Sequence, residues 1–227
     1  MEEFGARFQM LSVQFVPFIM AIVFHEFAHG LVASRCGDQT ARDAGRLTLN
    51  PIPHIDMLGT IIFPLINMIS GMNLLFGWAK PVPINPARFK KYRLALCSVS
   101  AAGPGMNFFL AFISAMAYWA MHLWLPQSFY LAEPLAQMAV ISVQINYALG
   151  IFNLIPLPPL DGSKIIEAFL PYEAARRYES IAQYSFFILM ALLLTGALSF
   201  LGYPIFMLSK LTMGLAAGIF GISTEIL

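Results

Sequence analysis

The chain has 227 residues, of which 59% are apolar and only 11% are charged, and its mean hydropathy is +0.72. Soluble globular proteins carry roughly a quarter charged residues, so this composition predicts a polytopic membrane protein. A net charge of +1 gives no reason to expect a nucleic-acid partner. The two cysteines, Cys36 and Cys97, have neither the number nor the spacing of a disulfide framework, and we expect free thiols.

The first apolar segment, residues 8–34, is long enough to cross the hydrocarbon core of a bilayer. The residues before it are acidic on balance, unlike a secretory signal peptide, so we expect this segment to be retained. It contains the sequence HEFAHG, in which His25 and His29 share one face of a helix and Glu26 lies beside them. This H-E-x-x-H pattern is typical of zinc peptidases, with two metal ligands and a general base, although it also arises by chance.

The next part of the chain is mixed in character. Residues 35–56 are polar and interrupted by proline, and the alternation over 46–50 predicts a short β-strand. Residues 57–79 carry no charge but contain several glycine, proline and asparagine residues. They either span the membrane or enter it and return, in which case other protein segments must cover the irregular backbone. A basic loop follows at 80–93.

The second half supplies the remaining apolar segments. They cover about residues 94–132, 134–152, 181–201 and 204–222. Lys210 in the middle of the last segment makes that segment a weaker candidate for a span. We therefore predict an all-α polytopic membrane protein with about five to six transmembrane segments.

Loop charge predicts the orientation in the membrane. Eleven of the 13 lysine and arginine residues lie in the loops 35–56, 80–93 and 163–179. Positive loops favour the cytoplasmic side, so all three loops are expected there. The first two loops share a side only if residues 57–79 turn back, which favours a re-entrant segment. The N-terminus is then outside, and the histidine motif lies toward the cytoplasmic face of a bacterial-type inner or plasma membrane.

A hydrolytic zinc site takes three protein ligands and leaves one position open. Asp161 is the best candidate for the third ligand, because a carboxylate at the end of an apolar segment is costly unless it is paired or binds metal. The prolines before it, Pro156, Pro158 and Pro159, hold that part of the chain extended. The alternative is a turn residue, since Gly162 follows it.

Three stretches together resemble the site-2 protease family of intramembrane zinc metalloproteases. They are HEFAHG in the first span, AAGPGMN at the start of a later one, and NLIPLPPLDG after the next. The likeness is to the short bacterial members without PDZ or CBS domains, and it covers roughly residues 20–170. It implies one Zn²⁺ held by His25, His29 and Asp161, with Glu26 as the catalytic acid/base.

The same resemblance implies cleavage of a peptide bond within or next to a transmembrane helix of a substrate protein in the lipid bilayer. The composition indicates one domain with no separate soluble module, so we expect a single integral-membrane peptidase domain over residues 1–227. Within that domain, we expect a catalytic core over about 8–170 and C-terminal helices over about 178–227.

Other polar residues are weaker candidates. Asn153 matches the first position of the family's proline motif and is expected to help hold the substrate backbone. Asn146 is either an outer partner of the site or an interhelical hydrogen-bonding residue, and Asn107 is treated in the same way. His54 is either an outer or alternative metal ligand or a solvated histidine at the membrane interface.

Two other functions are compatible with an intramembrane cluster of histidine, glutamate and aspartate. One is an ion- or proton-coupled transporter that uses the cluster as a relay. Such transporters often contain internal repeats, and none is found here. The other is a peptidase-like protein that binds without cutting, which is disfavoured because the ligands and Glu26 are all present.

Overall fold

The computed structural model describes residues 2–63, 66, 77–126 and 128–222. Over these ranges the chain is helical and contains no β-strand. The α-helices are α1 (Glu2–Arg35), α2 (Thr40–Asp43), α3 (Tyr92–Trp124), α4 (Ala132–Asn153), α5 (Asp161–Phe169), α6 (Tyr172–Glu179), α7 (Ser185–Leu194) and α8 (Gly202–Ile219). A π-helical turn covers Met57–Ile62, and short 3₁₀ turns cover Ile52–His54, Pro86–Arg88, Ser180–Tyr184 and Ala197–Leu201.

Four helical segments of the described chain are long and apolar enough to cross a membrane. They are Ser12–Arg35, Tyr92–Trp124, Ala132–Asn153 and Ala197–Ile219. A multi-pass membrane protein is thereby confirmed, whereas a count of five to six spans is not. The segment expected over 181–201 does not form one helix. Helix α7 ends at Leu194, and Gly196 adopts a φ of +69°, which starts a new helical segment after it.

Helices α1, α3 and α4 pack against one another and form the centre of the bundle. Helix α8 packs on α3 and α4 through small buried residues, among them Ala111, Ala115 and Ala216. The indole Nε1–H of Trp119 on α3 donates to the carbonyl of Met213 on α8 at 2.9 Å. Small side chains allow helix backbones to approach closely where no water drives association.

The predicted strand over 46–50 is wrong, because these residues form a series of bends. Side-chain hydrogen bonds, rather than pairing with a neighbouring strand, connect this region to nearby loops. The Nη2 of Arg46 donates to the carbonyls of Lys80 at 2.7 Å and Pro81 at 3.3 Å. The Nε2–H of His54 donates to the carbonyl of Thr48 at 3.0 Å.

The predicted re-entrant segment, 57–79, falls largely outside the described residues, which omit 64–65 and 67–76. Its two described ends lie side by side. The amide of Trp78 donates to the carbonyl of Gly59 at 3.2 Å, and the hydroxyl of Thr60 donates to the carbonyl of Trp78 at 2.9 Å. The amide of Lys80 donates to the carbonyl of His54 at 2.9 Å. The segment therefore begins and ends at one place in the fold.

Candidate metal centre

Three ligand atoms from distant parts of the sequence converge inside the bundle. The Nε2 atoms of His25 and His29 are 3.0 Å apart. The Oδ2 of Asp161 lies 3.2 Å from the first and 3.3 Å from the second. Both histidines are buried, with 5% and 7% of their surface exposed. This cluster is the only group of three such metal-ligating side chains found among the described residues.

The outer nitrogens of both imidazoles fix their tautomers. The Nδ1–H of His29 donates to the carbonyl of Val99 at 2.7 Å, and the Nδ1–H of His25 donates to the Oδ1 of Asn107 at 2.6 Å. Because these oxygens only accept hydrogen bonds, each Nδ1 carries the proton and each Nε2 presents a lone pair. Two nitrogen lone pairs and a carboxylate oxygen thus face one another, an arrangement that a bound cation would stabilise.

The size of this triangle fits zinc. Tetrahedral zinc, with bonds of about 2.0–2.1 Å to nitrogen and oxygen, has ligand–ligand edges of about 3.3 Å. The observed edges are 3.0, 3.2 and 3.3 Å. The Oδ2 of Asp161 is buried and has no other hydrogen-bond partner among the residues that the structure describes. The three ligand atoms would occupy three of the four tetrahedral positions around a zinc ion. The fourth position receives no ligand from this group.

Helix α3 reaches the centre through a glycine. A Cβ atom added to Gly103 would lie 2.4 Å from the Nε2 of His29 and 2.6 Å from the Nε2 of His25. Real Cβ contacts are never that short, so only glycine permits this packing. Gly105, two residues along the same helix, is exposed, and a Cβ there would meet nothing within 4 Å. The AAGPGMN sequence thus has one glycine that contacts the cluster and one that does not.

A chain of polar side chains extends from His25 into the bundle. The Nδ2 of Asn107 donates to the carbonyl of Ala21 at 3.2 Å and to the Oδ1 of Asn146 at 2.9 Å. The Nδ2 of Asn146 in turn donates to the carbonyl of Ser142 at 2.9 Å. Asn146 is therefore an interhelical hydrogen-bonding residue, and Asn107 alone separates it from His25 in this chain of hydrogen bonds.

Asp161 is the first residue of α5, where the positive end of the helix dipole favours a carboxylate. The proline-containing turn before it folds back so tightly that a Cβ on Gly162 would lie 2.2 Å from the carbonyl oxygen of Leu154. The hydroxyl of Tyr178 on α6 donates to the carbonyl of Pro156 at 2.7 Å and holds the turn from the other side. The turn and the glycine together direct Asp161 toward α1.

Glu26 is held by a distant part of the chain that no sequence motif indicates. Its Oε2 accepts a hydrogen bond from the backbone amide of Val82 at 2.7 Å. Val82 lies in the basic loop, 56 residues further along the chain. Sequence patterns report side chains, and this contact uses the backbone, so no motif pointed to it.

Two of the weaker candidates lie outside the cluster. The Nδ2 of Asn153 donates to the carbonyl of Leu149 in its own helix at 3.0 Å. His54 does not belong to the metal-ligating group. Its expected solvated position is also wrong, because only 1% of its surface is exposed. Its own carbonyl accepts a hydrogen bond from the amide of Lys80, in the loop that follows the 57–79 segment.

A buried carboxylate joins the polar loops near the end of α1. Asp38 has no exposed surface and accepts hydrogen bonds from the amide of Asn85 at 2.6 Å and the amide of Thr40 at 3.0 Å. Burial by itself would raise the pKa of Asp38. The hydrogen bonds from Thr40 and Asn85, with Arg88 nearby, outweigh burial and lower it.

Comparisons with known proteins place the chain in a family. The model of peptidase family M50 matches residues 125–196, which include Asp161. A Bacillus subtilis protein that carries the provisional name zinc metalloprotease YwhC is 39% identical over 204 residues, which cover 87% of this chain and 90% of that protein. The chain belongs to peptidase family M50, the site-2 protease family.

Two further relatives carry the provisional name zinc metalloprotease Rip2. The protein from Mycolicibacterium smegmatis is 29% identical over 181 residues, which cover 80% of this chain and 66% of that protein. The protein from Mycobacterium tuberculosis H37Rv is 30% identical over 203 residues, which cover 88% and 74%. No solved structure matches the chain.

Proposed function

We propose that this M50 protein is an intramembrane zinc endopeptidase that cuts peptide bonds within or next to transmembrane helices of other proteins. The observation that carries the proposal is the triangle of His25, His29 and Asp161, whose edges suit tetrahedral zinc. Its three facing atoms are two nitrogen lone pairs and a carboxylate oxygen, and none of them carries a hydrogen. The zinc metalloprotease names of the relatives support the same metal and the same reaction class. Nothing among the comparisons favours transport.

The chain's own residues would hold the zinc through the two Nε2 atoms and the Oδ2 of Asp161. The bonds from Nδ1 to Val99 and Asn107 keep both rings in the tautomer that this role requires. When bound, zinc is a Lewis acid that polarises the scissile carbonyl and lowers the pKa of a water molecule to about 7.

Glu26 is the proposed general base and then the general acid. Its Oε1 accepts no hydrogen bond from the described part of the chain and is available to take a proton from the attacking water. The water oxygen bonds to the carbonyl carbon, the carbon–nitrogen bond breaks, and Glu26 returns the proton to the departing nitrogen. This two-way transfer balances the hydrolysis without any further residue.

A transmembrane helix must unwind before its peptide bond is accessible, and the freed backbone groups need partners. We assign Asn153 to this role. It lies at the end of α4, immediately before the turn that leads to Asp161, and its amide is partly exposed. Its side-chain oxygen is available to a substrate amide while the Nδ2 stays bonded to its own helix.

The proposed orientation places the N-terminus outside and the metal centre toward the cytoplasm. The basic loops and the adjacent ends of the 57–79 segment support it. The test is labelling of single cysteines in intact cells with a membrane-impermeant maleimide, after Cys36 and Cys97 have been replaced by serine. Ala87→Cys is expected to stay unlabelled and Phe129→Cys to react; the reverse pattern would overturn the orientation.

The function is tested by incubating the purified protein in detergent with a membrane-spanning peptide and identifying products by mass spectrometry. We expect the wild-type chain to cut the peptide and Glu26→Gln to leave it intact. Loss of a general base typically slows a reaction by about 10²–10⁴-fold. Equal cleavage by the two proteins would remove Glu26 from the reaction.

A further inference from the structure

The carboxylate of Glu26 is held by one of its two oxygens. Oε2 accepts the amide hydrogen of Val82 at 2.7 Å, and Oε1 is left unbonded by the described residues. An unrestrained glutamate on a helix samples several rotamers. A single strong contact at Oε2 therefore selects one rotamer and leaves the other oxygen free.

Val82 is also anchored through its side chain. It is buried, with 6% of its surface exposed. Its Cγ1 lies so close to α1 that a Cβ added to Gly30 would be only 3.2 Å away. Gly30 is one helical turn beyond Glu26, so the side chain and the amide of Val82 contact the same face of α1.

The segment 80–85, which contains Val82, is tied to the polar loop after α1 at three points. The guanidinium Nη2 of Arg46 donates to the carbonyls of Lys80 and Pro81, the two residues immediately before Val82. The amide of Lys80 donates to the carbonyl of His54. At the other end of the segment, the carboxylate of Asp38 accepts a hydrogen bond from the amide of Asn85. Proline at 81 and 83 removes two further amides, so Val82 is the only donor between Lys80 and Ile84.

We propose that segment 80–85 is a positioning element for Glu26, with the amide of Val82 as the group that orients the carboxylate and Arg46 as the residue that holds the amide in place. This inference rests on the proposed function of Glu26. It assigns a role to two residues that no catalytic motif includes. Arg46 acts through the backbone of Lys80 and Pro81 and does not touch the reacting atoms.

The physical reason is the sensitivity of proton transfer to distance. A general base must lie within hydrogen-bond reach of the proton that it removes. A displacement of about 1 Å can cost about 10²-fold in rate. Binding of metal does not require the carboxylate of Glu26, so loss of its orientation should lower kcat and leave zinc content unchanged.

The first test separates the amide of Val82 from its side chain. Val82→Pro removes the donor, and the residue before Pro83 is already restricted to an extended conformation that proline can adopt. Val82→Ala keeps the donor and removes most of the packing. We expect kcat to fall by about 10- to 100-fold in Val82→Pro, with KM and zinc content unchanged, and by less than about threefold in Val82→Ala. Equal effects of the two substitutions would overturn the role of the amide.

The second test addresses Arg46 without touching the backbone of the segment. Arg46→Ala is expected to lower kcat by about tenfold, and Arg46→Lys, which keeps one donor, is expected to recover part of the loss. The control is Arg42→Ala, an exposed arginine in the same loop, which should behave as wild type. Because Arg46 acts through Val82, the double variant Arg46→Ala/Val82→Pro should be about as slow as Val82→Pro alone. Multiplicative effects would contradict the inference.

A third readout does not depend on activity. In the segment 80–85, with both end residues included, only four residues carry an amide hydrogen, so hydrogen exchange of this segment is easily resolved. Exchange at Val82 should accelerate at least tenfold in Glu26→Ala and in Arg46→Ala, with no change in Arg42→Ala. Unaltered exchange in both variants would overturn the inference even if kcat fell.

The wild-type protein and Glu26→Gln are assayed beside these variants. If the wild-type chain cuts the peptide and the Val82 and Arg46 variants match it, only the positioning element is lost. A wild-type chain that cuts nothing would overturn the proposed function and this inference with it.

Discussion

The two sides of the site are built in different ways. On the helix side, His25 and His29 are fixed by buried contacts with α3, through Val99, Gly103 and Asn107. On the loop side, Glu26 is fixed by a backbone amide in an irregular segment. Helix packing gives a rigid frame suited to metal binding. A loop contact is easier to displace, and it suits the role that we propose for Glu26, which is to exchange a proton with water and substrate.

This contrast predicts that substitutions on the helix side lower the affinity for metal, whereas those on the loop side slow turnover with metal in place. Measuring zinc content together with kcat therefore distinguishes the two sides. A variant on the helix side that keeps its zinc would weaken the contrast, as would a loop-side variant that loses it.

The largest effect is expected for Gly103→Ala. The added Cβ would lie within 2.6 Å of both imidazole nitrogens that face Asp161, so the rings or α3 must move. We expect the affinity for zinc to fall at least about 100-fold, with activity lost in parallel. Gly105→Ala is the matched control, because a Cβ there meets nothing within 4 Å. The test is a zinc titration of both variants. Equal affinities would show that the packing of α3 does not limit the geometry of the metal centre.

The next effect is that of Asn107→Leu, which removes the hydrogen-bond acceptor of the His25 Nδ1–H. Loss of such an outer partner typically costs about 10- to 100-fold in metal affinity or activity. Leucine is similar in size, so the packing of α3 is largely kept. The measurement is competition for zinc against a chelator of known affinity. A wild-type affinity would mean that the tautomer of His25 does not depend on Asn107.

A smaller and different effect is expected for Asn153→Ala. Among the described residues its side chain bonds to its own helix alone, so zinc content should not change. If Asn153 holds the substrate backbone, KM should rise several-fold while kcat changes less, since one hydrogen bond contributes roughly 0.5–1.5 kcal/mol. Steady-state kinetics with the membrane-spanning peptide test this assignment. An unchanged KM would remove Asn153 from substrate binding.

The smallest effect concerns Asp38, which joins the polar loops. Its pKa is lowered in the folded protein, so its contribution to stability is full above the unfolded pKa of about 3.9 and is lost as the pH falls through the folded value. Asp38→Asn should therefore lower the melting temperature slightly at pH 7 and flatten its decline below about pH 4. Thermal unfolding in detergent at both pH values is the test, and an unchanged decline at acid pH would argue against this linkage.

The same contrast explains which parts of the site could be predicted from the sequence. The spacing of His25 and His29, and the cost of placing Asp161 at the end of an apolar segment, predicted residues that the structure brings together. Both arguments concern side chains and regular helices. The contact between Val82 and Glu26 uses a backbone amide, and the fit of Gly103 depends on how closely two helices approach, so neither has a sequence pattern.

Two predictions of secondary structure were wrong for related reasons. The alternation over 46–50 resembled a strand, but Leu47 packs on Gly30 and Arg46 binds carbonyls of another loop, so tertiary contacts override the pattern. The apolar run over 181–201 looked continuous, but Gly196 takes a positive φ and ends the helical path. Hydropathy indicates that a segment is apolar enough for lipid, but it does not reveal a turn of the backbone within that segment.

The most direct test of the central claim is the zinc content of the purified protein, measured by inductively coupled plasma mass spectrometry. We predict about one zinc per chain in the wild type and in Glu26→Gln, and loss of bound zinc in His25→Ala and Asp161→Ala, because three protein ligands hold the metal. The Glu26→Gln protein should then be inactive with its metal retained. Zinc that is unaffected by both ligand substitutions would contradict the proposed centre.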